Sequence, residues 1–336
     1  MCRWFAYIGH EPILLEDALV MPKHALIKQI NDHYLPELLK HYSNRREVIE
    51  RNVLLNIDGF GVSWYTHVRE EFGECEGPRP TTYKSVRPPL NDRNFRSLCA
   101  NTKTNAVFAH IRATSGSPVV ETNNHPFEFG RHLFMHNGTV AQFSKIRRNL
   151  LLKISKQAYE NVMGTTDTEH VAALFFTHLG DMYAEHTLNE FKQAMLKTLN
   201  DIIELLVVEE ESDDTVQKGE HVNASSLNLA VTDGKKMMAI RFRNDVTEDP
   251  PSLYYSTTAG VSLNRKFPGT ADQPPSSENG SPSDVKKMEE HRAHVIIASE
   301  PMTYNREDWH LIPKNNMVFV NEDMQLSLEN IQLRTN

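Results

Sequence analysis

The stretch MCRWFAYIGH, Met1–His10, decides how the rest of the chain is interpreted. From Arg3 to Ile8 the loose alternation of side chains is typical of a short β-strand. A strand that starts at residue 3 would hold the beginning of the chain in a sheet, where chain ends usually fray. Removal of Met1 would leave Cys2 with both a thiol and a free α-amine. Such a residue can combine a nucleophile with its own base, although a cysteine is also simply a small apolar residue.

The composition limits the class of protein. The chain has 336 residues, of which 39% are hydrophobic and 24% charged, and its formal net charge is −8. This acidic balance argues against binding to nucleic acid or to a membrane surface, which requires a basic face. No stretch approaches the ~18 apolar residues of a membrane span. The three cysteines, Cys2, Cys75 and Cys99, have no metal-ligand spacing. We therefore expect a cytoplasmic protein without a metal or cofactor.

The pattern along the chain predicts an α+β fold with antiparallel sheets and outer helices. Two apolar runs around Asp233-Gly234 indicate a hairpin within Leu227–Phe242. Pro78–Pro89 has the composition of a loop. The segment at about 267–286 is rich in Pro, Ser and Gly, which predicts a disordered surface insertion. The helices that apolar spacing predicts are Leu19–Tyr42, Asp167–Leu179 and Leu188–Val208.

Three segments at predicted element ends carry candidate functional groups. In HNGT, His136–Thr139, the Asn137 amide and the Gly138 N–H could form an oxyanion hole, although Asn-Gly is also a common turn. In HIRATSG, His110–Gly116, the guanidinium of Arg112 could hold a carboxylate or form a surface ion pair. In GTTDTEH, Gly164–His170, Asp167 could bind an ammonium group. Thr166 and Glu169 in the same segment also form a capping-box pattern, which would only start a helix.

In this order the motifs resemble those of the class II glutamine amidotransferases, the N-terminal-nucleophile hydrolases whose mature chain begins with Cys. The resemblance extends from Cys2 to about Leu179, and less distinctly to Trp309. The matching residues are Cys2, Asp58-Gly59-Phe60-Gly61, Arg112, His125-Pro126, Asn137-Gly138 and Asp167-Thr168-Glu169.

The resemblance implies a four-layer αββα sandwich, built as a single domain over residues 2–325. It implies that Cys2 attacks a γ-amide carbon and that Asn137 and Gly138 stabilise the oxyanion. Arg112 would hold the α-carboxylate of the substrate and Asp167 its α-ammonium. The resemblance also assigns Thr114 and His125 to substrate binding. The loop after Arg112 is one residue shorter than in many members of the family.

Within the family, the chain resembles the branch that has no attached synthase domain and that degrades glutathione in fungi with a peptidase-like partner. The predicted reaction is cleavage of the γ-glutamyl amide of glutathione, which releases glutamate and Cys-Gly. Two alternatives remain open. The chain could be a glutamine amidotransferase that delivers ammonia to an acceptor enzyme, or an inactive scaffold subunit.

Overall fold

The computed structural model describes residues 2–22, 24–30, 57–114, 116–212, 224–269 and 285–333. These residues form two antiparallel sheets with helices on their outer faces. The strands, in chain order, are β1 (Arg3–Leu14), β2 (Phe60–Thr66), β3 (Arg79–Ser85), β4 (Lys103–Ile111), β5 (Phe127–Phe129), β6 (His132–Thr139), β7 (Ser226–Thr232), β8 (Met237–Arg243), β9 (Tyr254–Ser256), β10 (His294–Ala298), β11 (His310–Leu311), β12 (Asn316–Val320) and β13 (Leu326–Asn330).

Sheet A has seven strands in the order β11-β9-β10-β1-β4-β2-β3, and sheet B has six in the order β13-β12-β8-β7-β6-β5. The α-helices of the described residues are α1 (Leu15–Leu19), α2 (Val68–Glu71), α3 (Arg93–Asn101), α4 (Phe143–Lys153), α5 (Lys156–Tyr159), α6 (Asp167–Leu179) and α7 (Leu188–Ser212). Short 3₁₀ turns lie at Leu26–Lys28, Pro89–Asn91, Glu121–Asn123, Met288–Glu290 and Arg306–Asp308.

The first strand, β1, shows how the layers are built. Its side chains alternate between two apolar clusters, as the period of a strand requires. Trp4, Ala6 and Ile8 lie in the cluster between the two sheets. Phe5 and Tyr7 lie on the other face of sheet A, in a cluster that includes residues of α1 and α3. Both faces are therefore buried, which explains why the alternation of apolar and polar residues in the sequence is loose.

The outer layer on sheet B consists of α4 to α7, which bury a third apolar cluster against the sheet. Helix α6 is buried over most of its length, and its central residues are fully enclosed. The order helix, sheet, sheet, helix is the predicted four-layer αββα sandwich, and the α+β prediction is confirmed.

The first predicted helix, Leu19–Tyr42, differs from the structure within the described residues. Helix α1 ends at Leu19, and a 3₁₀ turn at Leu26–Lys28 follows Pro22. A proline disfavours helical geometry in the residue before it, which accounts for the early end. Residues 31–42 of the prediction lie outside the described residues.

The predicted loop at Pro78–Pro89 is wrong over Arg79–Ser85, which form β3. This strand pairs with β2 alone and lies at the edge of sheet A. Edge strands tolerate proline, since one row of backbone groups has no partner strand. The prolines in this segment therefore concealed the strand.

The predicted domain end at residue 325 falls before β13, which pairs with β12 up to Asn330. Most of the β13 side chains are exposed, so the strand lacks an apolar pattern. Of the predicted insertion at 267–286, residues 270–284 lie outside the described residues. Its flanks belong to the folded body, because Phe267 is fully buried and the Lys286 N–H donates to the Lys266 carbonyl at 2.8 Å.

Candidate active site

The thiol of Cys2 lies at the end of β1, beside the loop that follows β4. Arg3 pairs with Ile111 in the antiparallel ladder, so the residue before β1 meets the residues after β4. The Ala113 N–H donates to the Cys2 Sγ at 3.3 Å. Burial raises the pKa of the thiol, and this hydrogen bond and the charges of Arg112 and Arg3 offset part of that effect. A thiol with a raised pKa is protonated near neutral pH and needs a base before it can attack.

The side chain of Arg3 holds the backbone of Cys2 and also forms an ion pair with Glu300. The sequence did not predict either contact. The Arg3 Nη1 donates to the Cys2 carbonyl at 3.1 Å, and the Arg3 Nε lies 3.9 Å from the Oε1 of buried Glu300. The Ser252 hydroxyl donates to the same carboxylate oxygen at 2.7 Å. Burial raises the pKa of Glu300, and the charge of Arg3 acts in the opposite direction. The position of Cys2 therefore depends on residues from both ends of the chain.

Arg112 is buried, and its guanidinium donates three hydrogen bonds within its own loop. Nη1 donates to the Pro118 carbonyl at 3.0 Å, and Nη2 donates to the hydroxyls of Thr114 and Ser117. The Thr114 hydroxyl is also bonded to Ser117, and the Thr114 N–H donates to the Asp58 carboxylate at 2.8 Å. The predicted substrate residues Arg112 and Thr114 thus form the frame of this loop.

Asn137 and Gly138 lie near the end of β6, in the sheet opposite the thiol. The Asn137 Oδ1 is buried and has no hydrogen-bond partner among the described residues. Gly138 has a φ of +152°, and a Cβ at this position would overlap the Ser226 carbonyl oxygen. Only glycine fits this position, as a close backbone approach requires.

Two buried histidine rings, one on β4 of sheet A and one just before β5, contact the backbone of His136 on β6. The His110 Nε2 and the His125 Nδ1 each donate to the His136 carbonyl at 3.1 Å. Burial lowers the pKa of His110 to about 3 and that of His125 well below its ordinary value. Both rings are therefore neutral, and together they fix the peptide that precedes Asn137. His125, predicted to bind substrate, instead lies behind Asn137 and contacts the peptide that precedes it.

The ring of His136 connects the same strand to the start of α6. Its Nε2 donates to the Ser226 carbonyl at 3.1 Å, so Nδ1 must accept from the Thr168 hydroxyl at 2.9 Å. Thr168 follows Asp167, the first residue of α6. The buried His136 ring thereby links the strand that carries Asn137 to the helix start that carries Asp167, the residue predicted to bind the substrate ammonium.

The carboxylate of Asp167 lies at the N-terminus of α6 and faces the end of β6. Its Oδ2 accepts from the Val140 N–H at 2.9 Å, and its Oδ1 accepts from the Thr168 N–H at 2.8 Å. Each oxygen retains capacity for a further donor. The Thr166 hydroxyl caps the helix by accepting from the Glu169 N–H. The Glu169 carboxylate instead accepts from the N–H groups of Met163 and Gly164, so only half of the predicted capping box is present.

A cavity of about 610 Å³ opens beside Asp167. It lies between the Arg112 loop, the residues after Gly138, the first two turns of α4 and the residues before α6. Cys2 and Asn137 are outside its lining, but Ser117, which contacts Arg112, and Thr139, which follows Gly138, belong to it. The lining residues are Gly116, Ser117, Pro118, Thr139, Val140, Gln142, Phe143, Ser144, Arg147, Thr165, Thr166 and Asp167.

The structure therefore brings the predicted residues into two linked groups. Arg112 and Thr114 lie in the loop after β4, and Cys2 contacts the same loop at Ala113. The charge of Arg112 interacts with those of Cys2 and Asp167. Near the end of β6 lie Asn137 and Gly138, and Asp167 faces this end of the strand. The strand packs against β1 and β4. Sequence reasoning missed the residues that support these groups, although His110 and His136 open two of the motifs it quoted. They are Arg3, His110, Ser117, His136 and Glu300.

Two further properties concern ligands and membranes. Among the described residues, no group of three or more His, Cys, Asp or Glu side chains is placed to hold a metal ion. Within the same ranges, no helix is long and apolar enough to cross a membrane.

Comparison with known sequences gives two matches. A family model described as class II glutamine amidotransferases matches residues 42–239. A protein of Saccharomyces cerevisiae named probable glutamine amidotransferase DUG3 is 31% identical over 330 residues, which is 95% of this chain and 82% of the yeast protein.

Comparison with solved structures identifies the same fold. A glutamine aminotransferase class-II domain protein from Silicibacter pomeroyi is similar with a TM-score of 0.56 at 20% identity, over 98% of this chain and 100% of that one. The glutamine phosphoribosylpyrophosphate amidotransferase of Bacillus subtilis is similar with a TM-score of 0.50 at 13% identity, over all of this chain and 50% of that one.

Proposed function

Since the chain belongs to the class II glutamine amidotransferases, we propose that it cleaves the γ-glutamyl amide of glutathione with Cys2 as nucleophile. The products are glutamate and Cys-Gly, and the enzyme works with a peptidase-like partner subunit. The observation that best supports this proposal is the position of Cys2, whose thiol faces the Arg112 loop from the end of a strand buried in the middle of sheet A.

The proposed base is the α-amine that Cys2 carries once Met1 is removed. An α-amine has a pKa of about 7.7–8.0, so a substantial fraction is neutral in the cell. It takes the thiol proton, and the thiolate attacks the γ-carbonyl carbon. The Asn137 amide and the Gly138 N–H donate to the developing oxyanion. The α-ammonium then protonates the leaving amine, and Cys-Gly departs.

The remaining thioester is hydrolysed by water. The α-amine, which is neutral again, takes a proton from the water as it attacks the carbonyl, and the same donors hold the second oxyanion. Collapse of this intermediate releases glutamate and returns the proton to the thiolate. The overall reaction consumes one glutathione and one water, so no cofactor is required.

The choice of glutathione rests on the resemblance to the fungal branch of the family that degrades glutathione. The γ-glutamyl end of glutathione carries the same α-amine, α-carboxylate and γ-amide as glutamine, so one set of contacts serves both substrates. The name of the yeast relative favours a second candidate, a glutamine amidotransferase that delivers ammonia to an acceptor enzyme. An inactive scaffold is the third.

One assay separates the three candidates. Protein that starts at Cys2 is incubated with glutathione or glutamine, alone and with cell extract, and glutamate release is followed. We expect glutamate release from glutathione to be faster than from glutamine. We expect the Cys2→Ser variant to release no glutamate. Cys75→Ser is the matched control, because this second thiol, near the surface, lies outside the site.

The same assay tests the base. A variant with one extra residue before Cys2 has an amide nitrogen in place of the α-amine, and we expect no turnover from it. Full turnover by that variant would refute the mechanism. Release from glutamine alone would favour ammonia delivery, and no release from either substrate would favour the scaffold.

A further inference from the structure

A second cavity, of about 390 Å³, opens between the edge strands of the two sheets, β3 and β5. Its walls also include the 3₁₀ turn that begins at Glu121, residues that follow α5, and Glu169 on α6. It shares no lining residue with the cavity beside Asp167. Its volume lies within the range of about 300–1,000 Å³ that is typical of small-molecule sites.

Buried Asn123 lies between the two cavities. Its Oδ1 accepts from the Thr165 N–H at 2.8 Å, and its Nδ2 donates to the Pro118 carbonyl at 2.9 Å. Thr165 and Pro118 line the cavity beside Asp167. Thr122, the neighbour of Asn123, lines the second cavity. A ligand in the second cavity would therefore leave the proposed γ-glutamyl site free.

Lys84 supplies the positive charge in the lining of the second cavity. In the β2–β3 ladder it pairs with Gly61, the last residue of the motif DGFG. A Cβ at Gly61 would lie 3.2 Å from the Lys84 Cγ and would overlap the His125 carbonyl oxygen. The missing side chain therefore gives the Lys84 stem room between the sheets, where the ammonium lies 4.8 Å from the centre of the Phe127 ring.

The ammonium of Lys84 forms no hydrogen bond or ion pair within the ranges that the structure describes. Burial lowers the pKa of Lys84 to about 8, and the charges of Glu169 and Glu128 act in the opposite direction. At neutral pH most copies of the protein therefore carry a partly desolvated positive charge here. Such a charge costs free energy until an anion pairs with it.

The carboxylates in the lining are engaged elsewhere or exposed. The two oxygens of buried Glu169 accept from two backbone N–H groups of the loop before α6, at 2.9 and 2.6 Å. The Oε2 of Glu128 faces the Thr82 hydroxyl at 3.5 Å. Glu128 and Glu121 are both exposed. The cavity thus combines a half-buried cation that lacks an anion with exposed carboxylates.

We propose that this cavity binds a small zwitterion of the dipeptide class, with its carboxylate on Lys84 and its ammonium on Glu128. The free carboxylate supplies the anion that Lys84 lacks. An anion without a positive charge of its own would be repelled by the three glutamates of the lining. The hydroxyls of Thr82 and Thr122 can bond the peptide link between the two ends. Cys-Gly, a product of the proposed reaction, belongs to this class, but the binding of a dipeptide here does not require that reaction.

Glycylglycine, which has no γ-glutamyl group, is the probe. Protein that starts at Cys2 is titrated by ligand-observed NMR with glycylglycine, with glycylglycinamide (no carboxylate) and with N-acetylglycine (no ammonium). We expect Lys84→Met to weaken glycylglycine and N-acetylglycine about ten- to a hundredfold, the range of a charge-assisted hydrogen bond, and to leave glycylglycinamide unchanged. Glu128→Gln should weaken glycylglycine about two- to fivefold, as for an exposed ion pair, and should leave N-acetylglycine unchanged.

Two controls accompany these variants. Lys103→Met, at an exposed position at the start of β4, should change none of the affinities. Asp167→Asn should leave glycylglycine binding unchanged, because Asp167 lines the other cavity. The proposal is overturned by an absence of saturable binding, by an unchanged glycylglycine affinity or an equal loss for glycylglycinamide in Lys84→Met, or by an equal loss in Asp167→Asn. These titrations need no turnover, so failure of the proposed function, seen as no glutamate release from any γ-glutamyl compound, is a separate result.

Discussion

Replacing Asn137 with alanine separates a catalytic donor from a turn residue. The side chain is 2% exposed, and its Oδ1 has no hydrogen-bond partner among the described residues. Truncation therefore removes a buried polar group that is poorly satisfied in the free protein, and such changes are close to neutral for stability. If the amide donates to the oxyanion, its loss should lower kcat by about 10²–10³, equivalent to about 2.7–4 kcal/mol.

The chain offers a matched control in Asn228, which pairs directly with Asn137 in the β6–β7 ladder. It is also fully buried, but its Nδ2 donates to the carbonyls of Pro251 and Ser252 at 3.0 and 3.3 Å. Asn228→Ala removes the donor to the Ser252 carbonyl at a cost of about 1–3 kcal/mol, whereas the Pro251 carbonyl still accepts from the Arg241 Nε at 2.9 Å. We expect this variant to lose several degrees of Tm and to keep a kcat close to that of the wild type.

The assay is glutamate release from saturating glutathione, with thermal unfolding measured on the same preparations. The expected result is a split: Asn137→Ala loses kcat and keeps its Tm, whereas Asn228→Ala loses Tm and keeps its kcat. A normal kcat in Asn137→Ala, with or without a change in Tm, would show that Asn137 is a structural turn residue and that the oxyanion hole lies elsewhere.

Two further predictions concern recognition and pH. Asp167→Asn should lower kcat/KM about ten- to a hundredfold for glutamine and glutathione alike, because the ammonium that it contacts is common to both and does not react. The helix start should survive, since the Thr166 hydroxyl still accepts from the Glu169 N–H; a loss confined to one substrate would contradict the assignment. The free energy of unfolding should fall as the pH drops from about 6.5 towards 4.5. Burial lowers the pKa of His110 to about 3 and that of His294 to about 4, so the unfolded chain binds protons that the folded one excludes. Each of these histidines should cost about 2–3 kcal/mol at pH 4.5, measured by urea unfolding, and an unchanged stability over this range would contradict the reasoning.

Features that depend on neighbouring residues were predictable from the sequence. The hairpin around Asp233-Gly234 and the helix Asp167–Leu179 appear where the turn residues and the Thr166 cap predict them. The strand at Arg3–Ile8 is also present, although it continues to Leu14. Turn chemistry and capping act over a few residues, so the signal is contained in a short stretch. The motif order was sufficient to predict the family.

The arrangement around the motifs was decided by the tertiary structure, because it depends on contacts between residues far apart in the chain. Glu300 holds the Arg3 side chain from the opposite end of the sequence, and the carbonyl of His136 accepts from rings on two other segments. The cavity beside Asp167 likewise exists only after the loop that follows β4, the end of β6 and the helices α4 and α6 have packed together. Desolvation in that packed interior sets the pKa of the Cys2 thiol and keeps the buried histidines neutral, and no local pattern in the sequence encodes how much water is excluded.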